Sequence, residues 1–280
     1  QPVDEPLGRV VLTETKTQLD VCFLCVPDDE LPTVAADLRL AGVRPRLLVH
    51  TSGLHSSEDL GAWPASVRTA SWHPLRAIST RDEPIDTIRG TICAIEANTA
   101  PTPPNRQNEG APVELLAGET SRDRPPHVSE STSVASDVLT KSAFQELADW
   151  TRSLGGEPLQ LTAAGKPAYH AAATLLSNGL VGLFATAERI LAAAGLDPSV
   201  GRGLLLRLLD GTNRNLQRTS PGEAQTGPVV RGDLETVRRH LEILDAVGPT
   251  ERAVYVSIAQ VLIDLAKESG RLSESAANAL

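Results

Sequence analysis

The first third of the chain alternates short apolar runs with a stretch of helical periodicity. LDVCFLCVP, residues 19–27, is an almost continuous apolar run that leads into Pro-Asp-Asp, which is typical of a buried parallel strand and its exit loop. DDELPTVAADLRLAG, residues 28–42, begins with acids, repeats apolar residues at helical spacing and ends on glycine, so it predicts a helix. The remaining predictions are the strands RPRLLVHTSG, SVRTASWHPL and GTICAIEA, the helix KSAFQELADWTRSLG and the last strand GGEPLQLT.

From about Gly165 the pattern changes to nearly continuous helix. Pro167 suits a first helical turn, and the predicted helix runs to about Ala194, with Gly195 as its stop. Three further helical stretches lie within residues 199–217, 226–248 and 250–270. The chain is therefore predicted to be an α/β domain with a parallel sheet, residues 1–164, followed by an all-α domain, residues 165–280.

Residues 99–141 interrupt the α/β pattern. They are rich in proline, serine, threonine and charge, and so they cannot bury enough apolar surface to fold tightly. We expect a disordered insertion there.

Composition and charge exclude several classes of partner. The 280 residues are 41% hydrophobic but only 3% aromatic, which predicts an aliphatic, alanine-rich core. A net charge of -9 argues against nucleic acid and against an anionic membrane surface as partners, since both select a basic face.

No apolar run reaches the roughly 18 residues of a membrane span and no signal peptide precedes the fold, so a cytoplasmic location is expected. The chain begins with Gln1 and contains no methionine, from which we expect that its natural start lies upstream.

Cys22 and Cys25 form a C-x-x-C pair that allows two interpretations. One is a redox or metal pair. The other, which we favour, is two small apolar residues of a buried strand, because strand positions three apart point to opposite faces and do not easily share a metal. No other spacing in the sequence suggests a metal site, and none is predicted.

Polar residues are set into the alanine-rich helix GKPAYHAAATLLSNGL, residues 165–180. On a regular helical wheel Lys166, His170, Ser177 and Asn178 gather on one side, with Tyr169 on the flank. A solvent face and hydrogen bonding between helices are two ordinary explanations. The functional explanation is the wall of a cleft, in which a partly desolvated Lys166 has a lowered pKa and His170 shares its proton or orients a carbonyl.

Three loops carry further candidate residues. HTSG, residues 50–53, and WHPL, residues 72–75, each follow a strand at its C-terminal end, where open α/β sheets bind ligands. In TGPVVRGD, residues 226–233, Asp233 is placed to cap a helix, and Arg231 is either a clamp for a substrate carboxylate or an ion-pair partner. The sequence has no G-x-S-x-G elbow, which argues against a serine hydrolase.

The motifs FLCVPDD, VHTSG, WHPL, LGGEP, KPAYHAAATLLSN and TGPVVRGD occur in this order and together resemble a known family. The chain resembles Rossmann-like NAD(P)-dependent oxidoreductases whose C-terminal half is known only as a domain of unknown function. That family is similar to β-hydroxyacid dehydrogenases, ketopantoate reductase and pyrroline-carboxylate reductase. The resemblance implies a Rossmann-like sheet domain, NADP or NAD as cofactor, and a helical domain that completes the active site and forms a homodimer.

The resemblance also implies roles for individual residues. Related dehydrogenases open their interdomain helix with a catalytic lysine followed four residues later by asparagine, which Lys166 and His170 match, with histidine in place of asparagine. The Ser52-Gly53 loop corresponds to a loop that binds the substrate carboxylate. The other implied contacts are Ser177, Asn178 and Arg231 with the substrate, and Val26, Pro27, His50 and Thr51 with the cofactor.

One departure from the family concerns the cofactor. The G-x-G-x-x-G turn that holds the pyrophosphate belongs before residue 20, and this sequence has none, so the Rossmann-like domain is N-terminally incomplete. The sequence is therefore consistent with two alternative functions. The first is hydride transfer between NAD(P)H and a small keto or imino acid. The second is a non-catalytic Rossmann-like protein that binds a nucleotide or a metabolite.

Overall fold

The computed structural model describes residues 19–77, 88–97 and 141–280. The predicted insertion lies outside these residues apart from Lys141, and so does the segment in which the glycine-rich turn was sought. The chain divides into two compact units, Gln1–Ala173 and Thr174–Leu280. The domain boundary at residues 164 and 165 stays a prediction.

The first unit is a five-stranded sheet with helices on its faces. Its strands are β1 (Val21–Leu24), β2 (Leu47–His50), β3 (Arg68–Pro74), β4 (Ile92–Ala97) and β5 (Glu157–Gln160). They lie side by side in the order β1-β2-β3-β4-β5. Its helices are α1 (Leu31–Leu40), α2 (Ala143–Ser153) and α3 (Lys166–Thr174), with 3-10 turns at Ser57–Leu60 and Ala163–Gly165.

The α/β prediction is confirmed, with one correction to the sheet. β1, β2 and β3 are parallel and β4 is parallel to β5, but β3 and β4 are antiparallel. The sheet is therefore mixed. An antiparallel neighbour needs no crossover connection, whereas an entirely parallel sheet would need one at this point.

Both faces of the sheet are packed, which places the core in two layers. On one face Leu47 and Val49 pack against Leu147 of α2. On the other face Leu48 packs against Leu31 of α1. All four residues of β2 are buried, as expected for a central strand that alternates between two helical layers.

The strand predicted for residues 19–27 is shorter and less buried than expected. β1 ends at Leu24 and lies at one edge of the described sheet, so Phe23 and Cys25 are exposed while Cys22 is half-buried. The interpretation of both cysteines as buried strand residues is therefore wrong for Cys25. An edge strand has a neighbour on one side only, which leaves part of its apolar run uncovered.

The second unit is entirely helical. Its helices are α4 (Leu180–Ala193), α5 (Pro198–Leu216), α6 (Pro221–Ala224), α7 (Leu234–Val247), α8 (Pro249–Glu268) and α9 (Glu274–Ala279). Asp233 caps α7 as predicted, accepting a hydrogen bond from the Thr236 amide at 3.1 Å. The short helices α6 and α9 were not predicted.

A π-helical turn, Leu175–Gly179, separates α3 from α4. The sequence prediction assumed one regular helix from Gly165 to Ala194. A π turn adds a residue to the helical repeat, so the face assigned to Ser177 and Asn178 on a regular wheel does not hold.

One helix in the described part of the chain, Ala163–Ala193, is long and apolar enough to cross a membrane by length and composition alone. A single helix of this kind is weak evidence for a membrane span. A cytoplasmic location stays a prediction.

Candidate active site

The site begins with two polar side chains on one face of β3. Ser71 and His73 are two positions apart, so both point to the same side of the sheet. β2 ends at His50, which pairs with Ser71, whereas β3 continues to Pro74. The loop that leaves β2 therefore lies beside the last residues of β3.

His50 anchors that loop from below. Its ring is fully buried, Nδ1 accepts a hydrogen bond from the Ser52 amide at 3.2 Å, and Nε2 donates to the Ser56 carbonyl at 3.1 Å. Burial lowers the pKa of His50 to about 4, and the nearby charge of Lys166 adds to this. The ring is thus neutral, and both of its nitrogens are hydrogen-bonded to backbone groups of the loop. Neither nitrogen is therefore left for the predicted cofactor contact.

Glu96 anchors the far end of the same loop. This glutamate of β4 is buried, and its carboxylate accepts hydrogen bonds from the Ser57 amide at 2.6 Å and the Ser57 hydroxyl at 2.9 Å. Ser52 forms a local turn, its hydroxyl accepting from the amides of Leu54 and His55. The loop between residues 51 and 57 is thus fixed at both ends by buried polar groups.

Lys166, the first residue of α3, lies beneath this loop. Only 1% of its surface is exposed, its amine donates to the Ser52 carbonyl at 3.0 Å, and it also hydrogen-bonds the Ser71 hydroxyl. Burial lowers the pKa of Lys166 to about 8, although the negative charges of Glu96, Asp28 and Asp59 oppose the shift. The amine is therefore a buried positive charge that can lose its proton in mildly alkaline solution.

His73, Tyr169 and His170 form an aromatic cluster beside the amine. The Tyr169 hydroxyl lies 3.0 Å from His73 Nδ1, and the ring of His73 meets those of Tyr169 and His170 edge to face. Burial lowers the pKa of His73 to about 4, with smaller contributions from Lys166 and His170. His170 Nδ1 is buried and has no hydrogen-bond partner among the described residues.

Gly53 lies where these side chains meet the loop. A Cβ atom built on it would be 2.5 Å from His170 Nδ1 and 3.0 Å from His73 Nε2. Two imidazole nitrogens thus flank the one residue of the loop that has no side chain. The absence of a Cβ atom is what allows both rings to approach the backbone.

The structure brings five of the predicted site residues together within the first unit: His50, Ser52, Gly53, Lys166 and His170. Thr51 belongs to the same loop, and Val26 and Pro27 lie in the loop after β1, with Pro27 exposed. Their cofactor role stays a prediction.

The other three predicted substrate contacts belong to the second unit. Ser177 and Asn178 lie in the π-helical turn. Arg231 is exposed, and its guanidinium lies 3.9 Å from the carboxylate of Asp233. The structure thus adds an ion-pair contact to Arg231 and leaves its predicted role open.

Three members of the site were not predicted from the sequence, namely Ser71, Tyr169 and Glu96. The alternation in TASWHP indicates that Ser71 and His73 share a face, and Tyr169 precedes His170 in a helix, so a sequence signal existed for both. Glu96 has no such signal. Its approach to Ser57 depends on the antiparallel pairing of β3 with β4.

The described polar groups of the site gather at one edge of the sheet, where one end of a dinucleotide would be held. The exposed loop after β1 and the polar cluster lie at the C-terminal edge of parallel strands, where open α/β sheets bind their ligands. The sequence has no glycine-rich turn to hold a pyrophosphate. Within the described ranges no group of three or more histidine, cysteine, aspartate or glutamate side chains could hold a metal ion.

One known protein family matches part of the chain. Residues 135–262 match the model of a family described as a domain of unknown function, DUF2520. No curated protein has a sequence that matches the chain.

Solved structures extend the likeness beyond that domain. TM1727 from Thermotoga maritima is 22% identical with a TM-score of 0.60, over 91% of this chain and 81% of that one. BF3122 from Bacteroides fragilis, provisionally described as an NADP oxidoreductase, is 20% identical with a TM-score of 0.59, over 90% of this chain and 78% of that one. A pyrroline-5-carboxylate reductase from Coxiella burnetii, 14% identical with a TM-score of 0.40, is too distant to carry an argument.

At these identities the likeness shows the fold alone. It confirms the Rossmann-like resemblance that the sequence motifs indicated. The chain therefore matches DUF2520 over residues 135–262, and its fold is similar to those of TM1727 and BF3122, with a Rossmann-like sheet unit followed by a helical unit.

Proposed function

We propose that this protein is an NAD(P)-dependent reductase that acts on a small keto or imino acid. One observation carries the proposal. A buried lysine amine and two imidazole rings surround the Ser52-Gly53 loop at the C-terminal edge of the sheet. Titratable groups with lowered pKa values that cluster at a sheet edge are typical of a catalytic site.

Lys166 and His170 are the proposed catalytic pair. The positive charge of Lys166, buried directly beneath Ser52, favours a negatively charged carboxylate or a developing negative oxygen at the loop. Its pKa of about 8 is close enough to neutral for the amine to act as a proton donor once the Ser52 loop moves aside. In the proposal Ser52 and Gly53 hold the substrate in the first unit.

The nicotinamide end of the cofactor is proposed to bind at the loop after β1 and at Thr51. A bound dinucleotide would supply the hydride, and the residues of this chain would bind and orient the substrate. The description of BF3122 as an NADP oxidoreductase supports a nucleotide of this kind. No G-x-G-x-x-G turn occurs in residues 1–280, so weak binding of a dinucleotide by this chain is expected.

The proposal includes a homodimer formed through the helical unit. Large apolar side chains are exposed on α4, α5 and α8, among them Val181, Leu204 and Val261. Extended apolar surface of this kind usually marks an interface between proteins.

Cofactor binding and turnover test the proposal. Trp63, Trp72 and Trp150 provide a fluorescence signal for titration with NADPH and NADH, and a panel of small keto and imino acids then tests turnover. Lys166→Ala is expected to lower kcat by about two to four decades, the usual effect of losing a general acid. Lys267→Ala, which removes a lysine that pairs with Glu274 in the helical unit, serves as the control.

One observation favours a second function. The Lys166 amine is almost completely buried and already bonded to protein groups. This arrangement suits a non-catalytic protein that binds a nucleotide or metabolite. Saturable NADPH binding without turnover of any substrate in the panel would favour this alternative, and the absence of binding would overturn the reductase proposal.

A further inference from the structure

Nε2 of His73 has no hydrogen-bond partner among the residues that the structure describes. His73 is the second-last residue of β3, where it is half-buried and its Nε2 faces Gly53. We propose that His73 donates a hydrogen bond from Nε2–H to the carbonyl or carboxylate oxygen of the substrate, and that Tyr169 fixes the ring in the form that can do so. This inference rests on the proposed function, because it names a further catalytic residue of the same site.

The contact with Tyr169 determines which nitrogen of His73 carries the hydrogen. The Tyr169 hydroxyl and His73 Nδ1 are 3.0 Å apart. A phenol is a stronger acid than a neutral imidazole, and an imidazole nitrogen is a stronger base than a phenol oxygen, so the hydroxyl donates and Nδ1 accepts. A neutral imidazole has one hydrogen, which therefore lies on Nε2.

The surroundings of His73 keep the ring neutral. Lys166 and His170 lie near it and oppose a positive charge, and only Asp28 favours one. Burial acts in the same direction as Lys166, and the pKa of His73 is about 4. Near pH 7 His73 can thus offer a hydrogen bond without giving up a proton.

Access distinguishes His73 from Lys166. The lysine amine is 1% exposed and lies beneath the Ser52 carbonyl, so it could touch a ligand only after the loop moved. His73 needs no such movement, because its ring is partly open and the neighbouring Gly53 has no side chain to cover it. His170 Nδ1, which has no partner among the described residues, faces the same glycine and offers a second polar contact.

The acceptor atom decides whether a neutral donor distinguishes the two proposed substrate classes. A keto oxygen and a carboxylate oxygen both accept a hydrogen bond from Nε2–H. A protonated imine has an N–H group and no lone pair, so it cannot accept one at the reacting atom. A contact with the reacting oxygen therefore favours a small keto acid, whereas a contact with the carboxylate fits a keto acid and an imino acid alike.

Nitrogen-15 NMR of the histidine rings tests the tautomer without any need for activity. We expect His73 to show the Nε2–H form near pH 7 in the wild-type chain and a mixture of both forms in Tyr169→Phe. The chain provides a matched control, since Tyr255 lies 2.9 Å from His240 Nδ1 with the rings edge to face, as in the first pair. Tyr255→Phe should change the signals of His240 and leave those of His73 unchanged. An Nδ1–H or doubly protonated His73 in the wild-type chain overturns the inference.

Titration with pyruvate, a small keto acid, tests the contact itself. Addition of pyruvate is expected to shift the His73 Nε2–H signal and not the His240 signals. If NADPH does not bind but pyruvate still shifts His73, the proposed function fails and the inference stands. If NADPH binds and pyruvate leaves His73 unchanged in the presence of the cofactor, the inference fails and the proposed function stands.

Kinetics then measure the contribution of the donor. His73→Phe should lower kcat by about two to three decades, as expected for the loss of one hydrogen bond to a developing oxyanion. His73→Gln keeps an N–H donor and should recover part of that loss, with KM closer to that of the wild type. Equal activity of both variants and the wild type would contradict a direct contact.

Discussion

The side chains of His50, His73 and Lys166 share one physical effect, which is that burial lowers the pKa of each. Both imidazoles have a pKa of about 4, and the amine has one of about 8. Burial disfavours a charge at these positions, and the charge of Lys166 also opposes a charge on either ring. Near neutral pH the rings are uncharged hydrogen-bonding groups, and most of the positive charge resides on Lys166.

Gly53→Ala tests how closely the two rings approach the loop. The new Cβ atom would lie 2.5 Å from His170 Nδ1, so a ring or the loop has to move. We expect a loss of about 1–3 kcal/mol in the free energy of unfolding, the range for an overfilled site, together with a loss of substrate binding. Urea unfolding measures the first effect and KM the second.

Gly211→Ala in α5 is the control for this substitution. A Cβ atom at this position meets nothing within 4 Å, and alanine is the better helix former, so a gain of up to about 1 kcal/mol is expected. An unchanged stability in Gly53→Ala would contradict the crowded geometry.

Lys166→Met tests the buried charge through its pH dependence. The amine has a pKa of about 8 in the folded chain against 10.5 when unperturbed, so between these values the unfolded chain binds more protons. The free energy of unfolding of the wild type should therefore rise with pH over this window, by up to about 3 kcal/mol relative to the variant. Urea unfolding between about pH 7 and pH 10 measures this difference. Lys267→Met is the control, and the same pH dependence in wild type and Lys166→Met would contradict the buried charge.

At the scale of elements, one buried carboxylate ties α2 to the edge of the sheet opposite the site. Glu146 of α2 accepts two hydrogen bonds from Arg46, each of 2.7 Å, and one of 2.7 Å from Arg68. The two arginines lie where β2 and β3 begin. The hydrogen bonds from Arg46 lower the pKa of Glu146, which indicates that the ionised form is the one that holds the helix.

Glu146→Gln is expected to destabilise the first unit strongly. Removal of the charge leaves two partly buried guanidinium groups without their shared carboxylate, which costs about 3–5 kcal/mol when such a pair is buried, although Arg46 keeps the exposed Asp20 at 3.5 Å. Glu235 offers a matched comparison, because it also contacts two arginines, Arg238 and Arg239, but on an exposed helix surface. Glu235→Gln should cost less than about 1 kcal/mol. Similar urea midpoints for the two variants would contradict the argument.

Most elements were predictable because their signals are local. Helix α1 is delimited by the acids before it and the glycine after it, and α2 is capped by Ser142. Each of these residues lies within a few positions of its helix. The antiparallel direction of β4 and the π-helical turn at Leu175–Gly179 were not predicted. Strand direction depends on how a distant connection returns, and a π turn has no distinct residue pattern.

At the scale of the whole molecule, the two units differ in how well they cover their apolar residues. The strands of the first unit are packed on both faces, whereas the helical unit exposes large aliphatic side chains on several helices. This difference is the physical basis of the proposed homodimer.

Val181→Glu and Val261→Glu test the dimer. These side chains are 70% and 61% exposed, so a charge should not disturb the folded chain but should oppose burial in an interface. We expect light scattering to give the mass of a dimer for the wild type and of a monomer for the variants. Leu40→Glu, at a position 83% exposed in the first unit, is the control and should leave the dimer intact. A monomeric wild type would contradict the proposal.

The sequence alone determined the class of the fold, the change from alternating strands to helices, and the polar residues of the helix that begins at Lys166. These properties depend on local periodicity and capping, which any stretch of sequence carries within itself. The tertiary structure decided what those residues contact. The burial of Lys166 under Ser52, the contact of Tyr169 with His73, and the approach of His170 to Gly53 join positions about a hundred residues apart. Such contacts depend on which strands pair and in which direction, and the spacing of residues along a chain does not encode this.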